Sequence, residues 1–366
     1  MPLRVLVVDD TAVFRRVVSD AFASLPDVEV VGVATNGRAA LAKIAELQPD
    51  LVSLDIEMPE MNGVQVLEAL KLRSSKLGVL VLSALTLKGG ELTMKALELG
   101  AFDFLTKPTG GNPDQNRAFL RDELEPRVKA FARRCEIQKL LKTGPAIPLA
   151  PRPAALPVAA EPPASKPFPR PTQRPELLLI GVSTGGPTAL ATVLSQLPAS
   201  FPLPILIVQH MPPLFTASLA TSLNAKCHLT VKEAKDGEVP QAGTVYIAPG
   251  GSHMKLLAET GGSKRICITD DPPENNCRPA VDFLFRSVAH GFPGKAMAVI
   301  LTGMGNDGTL GCRLLKRHGG TVIAQDEASC VVFGMPKEVI QAGVVDVVAP
   351  LERIAEEILK AVRGLP

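Results

Sequence analysis

At 366 residues the chain exceeds one ordinary domain, since compact domains cluster near roughly 100 to 200 residues, and two folded units are the expectation. With 46% hydrophobic and 21% charged residues it can build ample cores, which excludes disorder throughout, and no uncharged apolar run approaches the roughly 18 to 20 residues of a spanning helix. The net charge of +2 conceals a basic stretch over 117–175, with 12 Lys/Arg against 5 Asp/Glu; neither folded unit is then basic, and no Trp and one Tyr supply no stacking platform, so nucleic-acid binding is excluded.

The first ten residues, Met1-Pro2-Leu3-Arg4-Val5-Leu6-Val7-Val8-Asp9-Asp10, reach two acids too soon for a signal-peptide core, and a cytoplasmic monomer without membrane insertion is expected. The cysteines at 135, 227, 267, 277, 312 and 330 show no CxxC and no zinc spacing, and are read as reduced thiols.

In chain order, Val5 to Val8, Val28 to Ala34, Leu51 to Leu54, Val79 to Ser83 and Phe102 to Leu105 read as five buried strands with amphipathic stretches between them. That alternation predicts a parallel, doubly wound sheet. A helix from Glu123 to Lys142, with Pro126 in its first turn, is expected to close the unit. Over 143–175, 11 of 33 residues are proline, which fixes φ and removes the amide donor, so an extended linker is expected there. Strands at Leu177 to Ile180, Ile205 to Val208, Val245 to Ala248, Ala298 to Leu301 and Val322 to Ala324 follow, with helical patterns near 187–197, 280–289, 309–318 and 351–363, a second α/β unit. The expected division is 1–122, then 123–176 as helix and linker, then 177–366.

Asp9 and Asp10 end the first strand and Asp55 the third, so a parallel sheet brings the three carboxylates to its carboxyl edge, a set of hard oxygens suited to Mg²⁺. Ser83 ends the fourth strand and Lys107-Pro108 follows the fifth, a hydroxyl and an ammonium where an incoming phosphoryl group needs them. Val7-Val8-Asp9-Asp10, Asp55-Ile56-Glu57-Met58-Pro59-Glu60-Met61-Asn62-Gly63, Ser83-Ala84 and Lys107-Pro108 together resemble the receiver domain of bacterial response regulators. The resemblance implies Asp55 as phosphoacceptor, Mg²⁺ held by Asp10, Asp55 and the Glu57 carbonyl with Asp9 assisting, and Ser83, Phe104 and Lys107 as the residues that sense phosphorylation.

In the second unit, Gly181-Val182-Ser183-Thr184-Gly185-Gly186 follows a strand and opens a helix at Pro187. It fits the G-x-S-x-G turn that lifts a serine above a sheet edge, and a glycine-rich turn there equally suits a phosphate, though the P-loop lysine is missing. His210 and Asp307 follow other strands and belong to the same edge, giving a nucleophile, a base and a group to orient the base. His253, in Pro249-Gly250-Gly251-Ser252-His253-Met254, is the rival base, and Asp307 reads equally as a turn former.

Ile180-Gly181-Val182-Ser183-Thr184-Gly185-Gly186, Gln209-His210-Met211-Pro212-Pro213, Tyr246-Ile247-Ala248-Pro249-Gly250, Leu301-Thr302-Gly303-Met304-Gly305-Asn306-Asp307-Gly308 and Ala328-Ser329-Cys330-Val331-Val332-Phe333-Gly334-Met335-Pro336 resemble the catalytic domain of the CheB family of chemotaxis protein-glutamate methylesterases. The resemblance implies a Rossmann-like second domain behind a flavodoxin-like receiver, with Ser183, His210 and Asp307 as triad and backbone amides of Met304 and Thr184 as oxyanion donors. It further implies a phosphorylation-activated esterase and glutamine deamidase without a cofactor for the hydrolysis. Its partners would be a chemotaxis-type histidine kinase as phosphodonor and methyl-accepting chemotaxis receptors as substrate. One position departs from the family: in Asn275-Asn276-Cys277-Arg278-Pro279 a cysteine stands where a histidine is common, in a segment placed near the substrate groove. The rival reading is a phospho-switched adaptor whose hydrolase-like domain has lost its chemistry.

Overall fold

The computed structural model describes residues 2–72, 77–143, 174–259 and 263–364. In the first unit β1 (Leu3–Val8), β2 (Val28–Ala34), β3 (Leu51–Asp55), β4 (Gly78–Ser83) and β5 (Asp103–Thr106) form one sheet in the order β2-β1-β3-β4-β5, every pairing parallel. The helices α1 (Ala12–Ala23), α2 (Gly37–Leu47), α3 (Gly63–Leu72), α4 (Leu87–Glu98) and α5 (Pro113–Thr143) supply its two outer layers. Side chains alternate along β1: Val5 and Val7 pack with Phe22 of α1 and Leu124 of α5, whereas Leu6 and Val8 join the core under α2 to α4.

The last helix departs from expectation. It begins at Pro113, ten residues before Glu123, and Pro126 lies in its interior rather than its first turn. The stop and start signals lie upstream, where the Asn112 side chain accepts from the Gln115 amide at 2.9 Å while Gln115 Oε1 accepts from the Asn112 amide at 3.1 Å. This reciprocal pair is a capping box. Leu120, Leu124, Val128 and Phe131 bury one face of the helix in the first core, so packing tolerates the one lost amide donor. The proline-rich stretch expected over 143–175 falls almost entirely outside the described residues.

The second unit contains β6 (Leu177–Val182), α6 (Gly186–Leu194), β7 (Ile205–Gln209), α7 (Phe215–Asn224), β8 (Thr230–Glu233), β9 (Thr244–Ile247), β10 (His253–Ala258), β11 (Lys264–Thr269), α8 (Val281–Gly291), β12 (Ala296–Ile300), α9 (Thr309–Arg317), β13 (Thr321–Gln325), α10 (Met335–Gln341), β14 (Val347–Ala349) and α11 (Leu351–Arg363). Seven strands pair in parallel in the order β14-β13-β12-β6-β7-β9-β8, and β10 and β11 form a separate antiparallel hairpin. Every residue of β6 is buried, as a central strand covered on both faces requires. Each fully buried Leu or Ile there contributes about 1.5–3 kcal/mol relative to exposure. The chain leaves β6 toward β7 on one side and returns later to β12 on the other, so a crevice opens between the ends of β6 and β12.

The two units touch. Phe104 of β5 stacks on Phe215 of α7 with centroids 5.0 Å apart and planes within 9°. Ser222 donates to Glu98 at 2.7 Å, Lys226 pairs with the same carboxylate, and Arg133 lies 3.5 Å from Glu327. α4 also packs tightly against α7, where a Cβ on Gly90 would come within 2.6 Å of Ser218 Oγ.

Candidate active site and phosphoacceptor site

At the carboxyl edge of the first sheet, Asp9 and Asp55 are almost wholly buried and Asp10 is exposed at the rim. The three offer carboxylate oxygens within 4.8 Å of one another. Lys107 reaches in from the end of β5, its Nζ 2.8 Å from Asp9 Oδ2 and 2.7 Å from Asp55 Oδ2. Beyond Lys107 these two oxygens have no further partner among the described residues, which leaves each a lone pair for a divalent cation. Burial pushes the Asp55 carboxyl up to about 6, against the opposing pull of Lys107. Glu57, two residues on, gives its amide to Asp55 Oδ1 at 3.3 Å. The Ser83 hydroxyl turns the other way, donating to the Gly89 carbonyl in the first turn of α4 at 3.2 Å.

In the second unit the crevice between β6 and β12 holds Ser183, whose amide donates to the Thr302 carbonyl at 3.0 Å. His210 comes off the end of neighbouring β7, its amide bonded to the Val182 carbonyl at 3.1 Å. Its Nε2 lies 2.7 Å from Asp307 Oδ2. Asp307 is pinned on every side: Oδ2 also accepts from the Val281 amide at 2.6 Å, and Oδ1 accepts from Asn275 Nδ2 at 2.9 Å, the Asp282 amide at 2.9 Å and the Gly308 amide at 3.0 Å. Burial works against its charge, yet these donors and the His210 ring hold the carboxyl below the ordinary aspartate range. Burial likewise disfavours a charged imidazole, but the hydrogen bonds to Asp307 and to Cys277 win and raise His210 to about 9. Among the described residues no hydrogen bond joins Ser183 Oγ to His210; both line a cavity of about 80 Å³ roofed by Asp103, Phe104 and Arg127 of the first unit.

Gly303 follows β12 and presses on the serine: a Cβ there would stand 2.8 Å from Ser183 Cβ and 2.5 Å from Met335 Sδ. Only glycine permits that approach. The Thr184 side chain points across the boundary, donating to Asp103 Oδ2 at 3.0 Å, and Arg127 Nε holds the same oxygen at 3.0 Å.

His253, the rival base, is otherwise engaged. It is fully buried, its Nδ1 accepts from the Ala280 amide at 3.2 Å, its Nε2 lies 3.0 Å from the Pro272 carbonyl, and its ring stacks on Phe283. Sequence reading passed over Asn275 and Asp282, which brace Asp307 from outside. Asn275 Nδ2 bridges Asp307 and Asp282 Oδ2 at 3.0 Å, and burial pushes Asp282 up to about 6. Gln209 was also missed; its side chain ties the carbonyls of Ser183 and His210 at 2.9 and 3.1 Å. The available signal was its position directly before His210.

A flavodoxin-like receiver seated on the carboxyl edge of a parallel α/β unit that carries a serine, a histidine and a braced aspartate defines a response-regulator protein with a hydrolase-type effector. Family models agree: residues 5–116 match the response regulator receiver domain and residues 178–358 the CheB methylesterase. A protein-glutamate methylesterase/protein-glutamine glutaminase of Desulfotalea psychrophila is 52% identical over 99% of both chains, and one of Trichodesmium erythraeum is 42% identical over 98% of this chain and 99% of its own. The crystal structure of the Thermotoga maritima CheB methylesterase catalytic domain, 49% identical, covers 51% of this chain and 98% of its own with a TM-score of 0.50. The chain belongs to the CheB methylesterase family.

Proposed function

We propose that the protein is a phosphorylation-activated protein-glutamate methylesterase and protein-glutamine glutaminase acting on methyl-accepting chemotaxis receptors, with a chemotaxis-type histidine kinase as phosphodonor and the cytoplasm as its address. The observation that carries the reading is the His210–Asp307 pair, 2.7 Å apart and braced by three backbone amides, set beside Ser183 at the sheet's switch point. Asp307 holds the ring through Nε2, which leaves Nδ1 to take the Ser183 proton once substrate draws the two together. The Ser183 oxygen attacks the γ-carbonyl of a glutamate methyl ester. The amides of Met304 and Thr184, which donate to no other group among the described residues, face the developing oxyanion. His210 returns the proton to the departing methoxide, methanol leaves, and water attacks the glutamyl ester to free the carboxylate and regenerate Ser183. With glutamine as substrate, ammonia leaves instead.

Asp10, Asp55 and the Glu57 carbonyl, with Asp9 assisting, would hold Mg²⁺, which would supply charge neutralisation for phosphoryl transfer to Asp55. Lys107 and Ser83 then bind phosphoryl oxygens, and Ser83 must give up Gly89 to do so. Gly89 precedes the contact of Gly90 with Ser218, and Phe104 on the neighbouring strand stacks on Phe215, so the same event loosens the roof over the serine cavity. The described interface favours occlusion of the site by the unphosphorylated receiver over recruitment alone. The test is methanol release from methylated receptors with and without a phosphodonor. Ser183→Ala should lose at least about a thousandfold in rate while Asp55 still takes phosphate; a variant retaining more than about a tenth of the activity would refute the nucleophile assignment.

A further inference from the structure

Cys277 stands against the His210 imidazole, and together with Asp307 it offers nitrogen, sulfur and oxygen ligand atoms all within 4.8 Å of one another. Nothing in the esterase cycle uses this thiol. We propose that His210, Cys277 and Asp307 form a binding site for a borderline-soft divalent cation, Zn²⁺ above all, and that the metal switches the esterase off.

The donor set decides the class of ion. The receiver cluster of Asp9, Asp10 and Asp55 is all carboxylate and suits hard cations. A thiolate, an imidazole and one carboxylate suit Zn²⁺, whose non-structural sites commonly have three protein ligands and a fourth position open to solvent. Asp307 is already fixed by Asn275 and the amides of Val281, Asp282 and Gly308, the outer support that a ligating carboxylate needs. Cys277 is only half-buried, and Asp271, Asn276 and Arg278 around it are exposed, so the ion has a route from solvent that does not pass under the receiver.

The balance of the binding step is simple. Zn²⁺ replaces the thiol proton of Cys277 and, on the doubly protonated ring, the Nε2 proton that His210 shares with Asp307; the ring keeps its Nδ1 proton, both released protons pass to solvent, and no electrons move. Because Nε2 and Oδ2 now stand 2.7 Å apart, the ring must retreat slightly for the ion to lie between them at bonds of roughly 2.0 Å. That displaces the imidazole from Ser183 and removes the proton acceptor from the reaction.

The experiment is a Co²⁺ titration of the full chain in saturating Mg²⁺, which keeps the receiver carboxylates occupied, followed by absorption spectroscopy. The expected result is one equivalent of Co²⁺ giving a thiolate-to-cobalt charge-transfer band and intense visible d–d bands, displaced by Zn²⁺. In Cys277→Ser the band should vanish and Zn²⁺ affinity fall at least about 100-fold, since losing even an outer-shell partner costs about 10–100-fold. No thiolate band, or an unchanged band in Cys277→Ser, overturns the site. Inhibition is read separately, as methanol release restored by a chelator, and this half rests on the serine-hydrolase reading. A Cys277-dependent cobalt band with undiminished esterase activity would uphold the metal site and overturn the role given to His210.

Discussion

The protonation of one imidazole sets two opposite pH dependences. His210 is raised from 6.5 to about 9, and only the neutral ring accepts the serine proton. The kcat/KM of the unphosphorylated chain should therefore rise with pH through a midpoint above 6.5, and Asp307→Asn should lower both the rate and the midpoint. A full pH–rate profile checks this; a midpoint at or below 6.5 contradicts it. Stability runs the other way. A base whose folded pKa is raised stabilises the fold fully below its unfolded value, so this contribution is complete below 6.5 and is lost as pH climbs through about 9, measurable as a falling melting temperature. Asp307→Asn should also destabilise by about 1–3 kcal/mol, because an amide nitrogen replaces one acceptor for the Val281, Asp282 and Gly308 amides. Denaturant unfolding of both proteins measures it.

Individual elements were unevenly legible. Runs such as Leu177–Val182 and Gly78–Ser83 announce themselves because a parallel strand buried on both faces cannot afford a charge. The β10–β11 hairpin was not anticipated: along β10 His253, Met254 and Leu256 are buried, Lys255 interrupts them and Leu257 and Ala258 are exposed, so neither alternation nor a continuous apolar run marks the strand, and its partner strand is known only through pairing. α5 was placed late because Pro126 drew attention from the Asn112–Gln115 cap, which is a local signal of equal strength. At the candidate site Ser183 and His210 directly follow strands and Asp307 lies in the glycine-rich loop after β12, whereas Asn275 and Asp282 act through a fold-level juxtaposition that spacing does not reveal. Between the two units, α4 against α7 is a contact that a single side chain can wedge. Gly90→Leu should raise the unphosphorylated esterase rate by roughly 5–150-fold, the range of typical coupling energies, without raising the phosphorylated rate. An unchanged basal rate would remove this helix pair from the switch.

For the molecule as a whole, separating the units tests occlusion directly. A fragment should start at Arg174 rather than Leu177, because Glu176 bonds Lys264 at 2.8 Å and lies 2.9 Å from Lys295. On a soluble methylated peptide it should outpace the unphosphorylated full chain; equal rates would leave recruitment as the receiver's task. The hydrogen bond from Thr184 to Asp103 joins the turn that carries Ser183 to the strand that leads into Lys107. Thermodynamic reciprocity then makes the effector a sensor of its own substrate. If phosphate on Asp55 opens the serine cavity by some factor, an occupant of that cavity must favour phosphate on Asp55 by the same factor. Receptors rich in methyl ester would thereby favour the activated state of the enzyme that strips them, and chains sulfonylated on Ser183 should hold more aspartyl phosphate than unlabelled ones when each is equilibrated with the same phosphodonor.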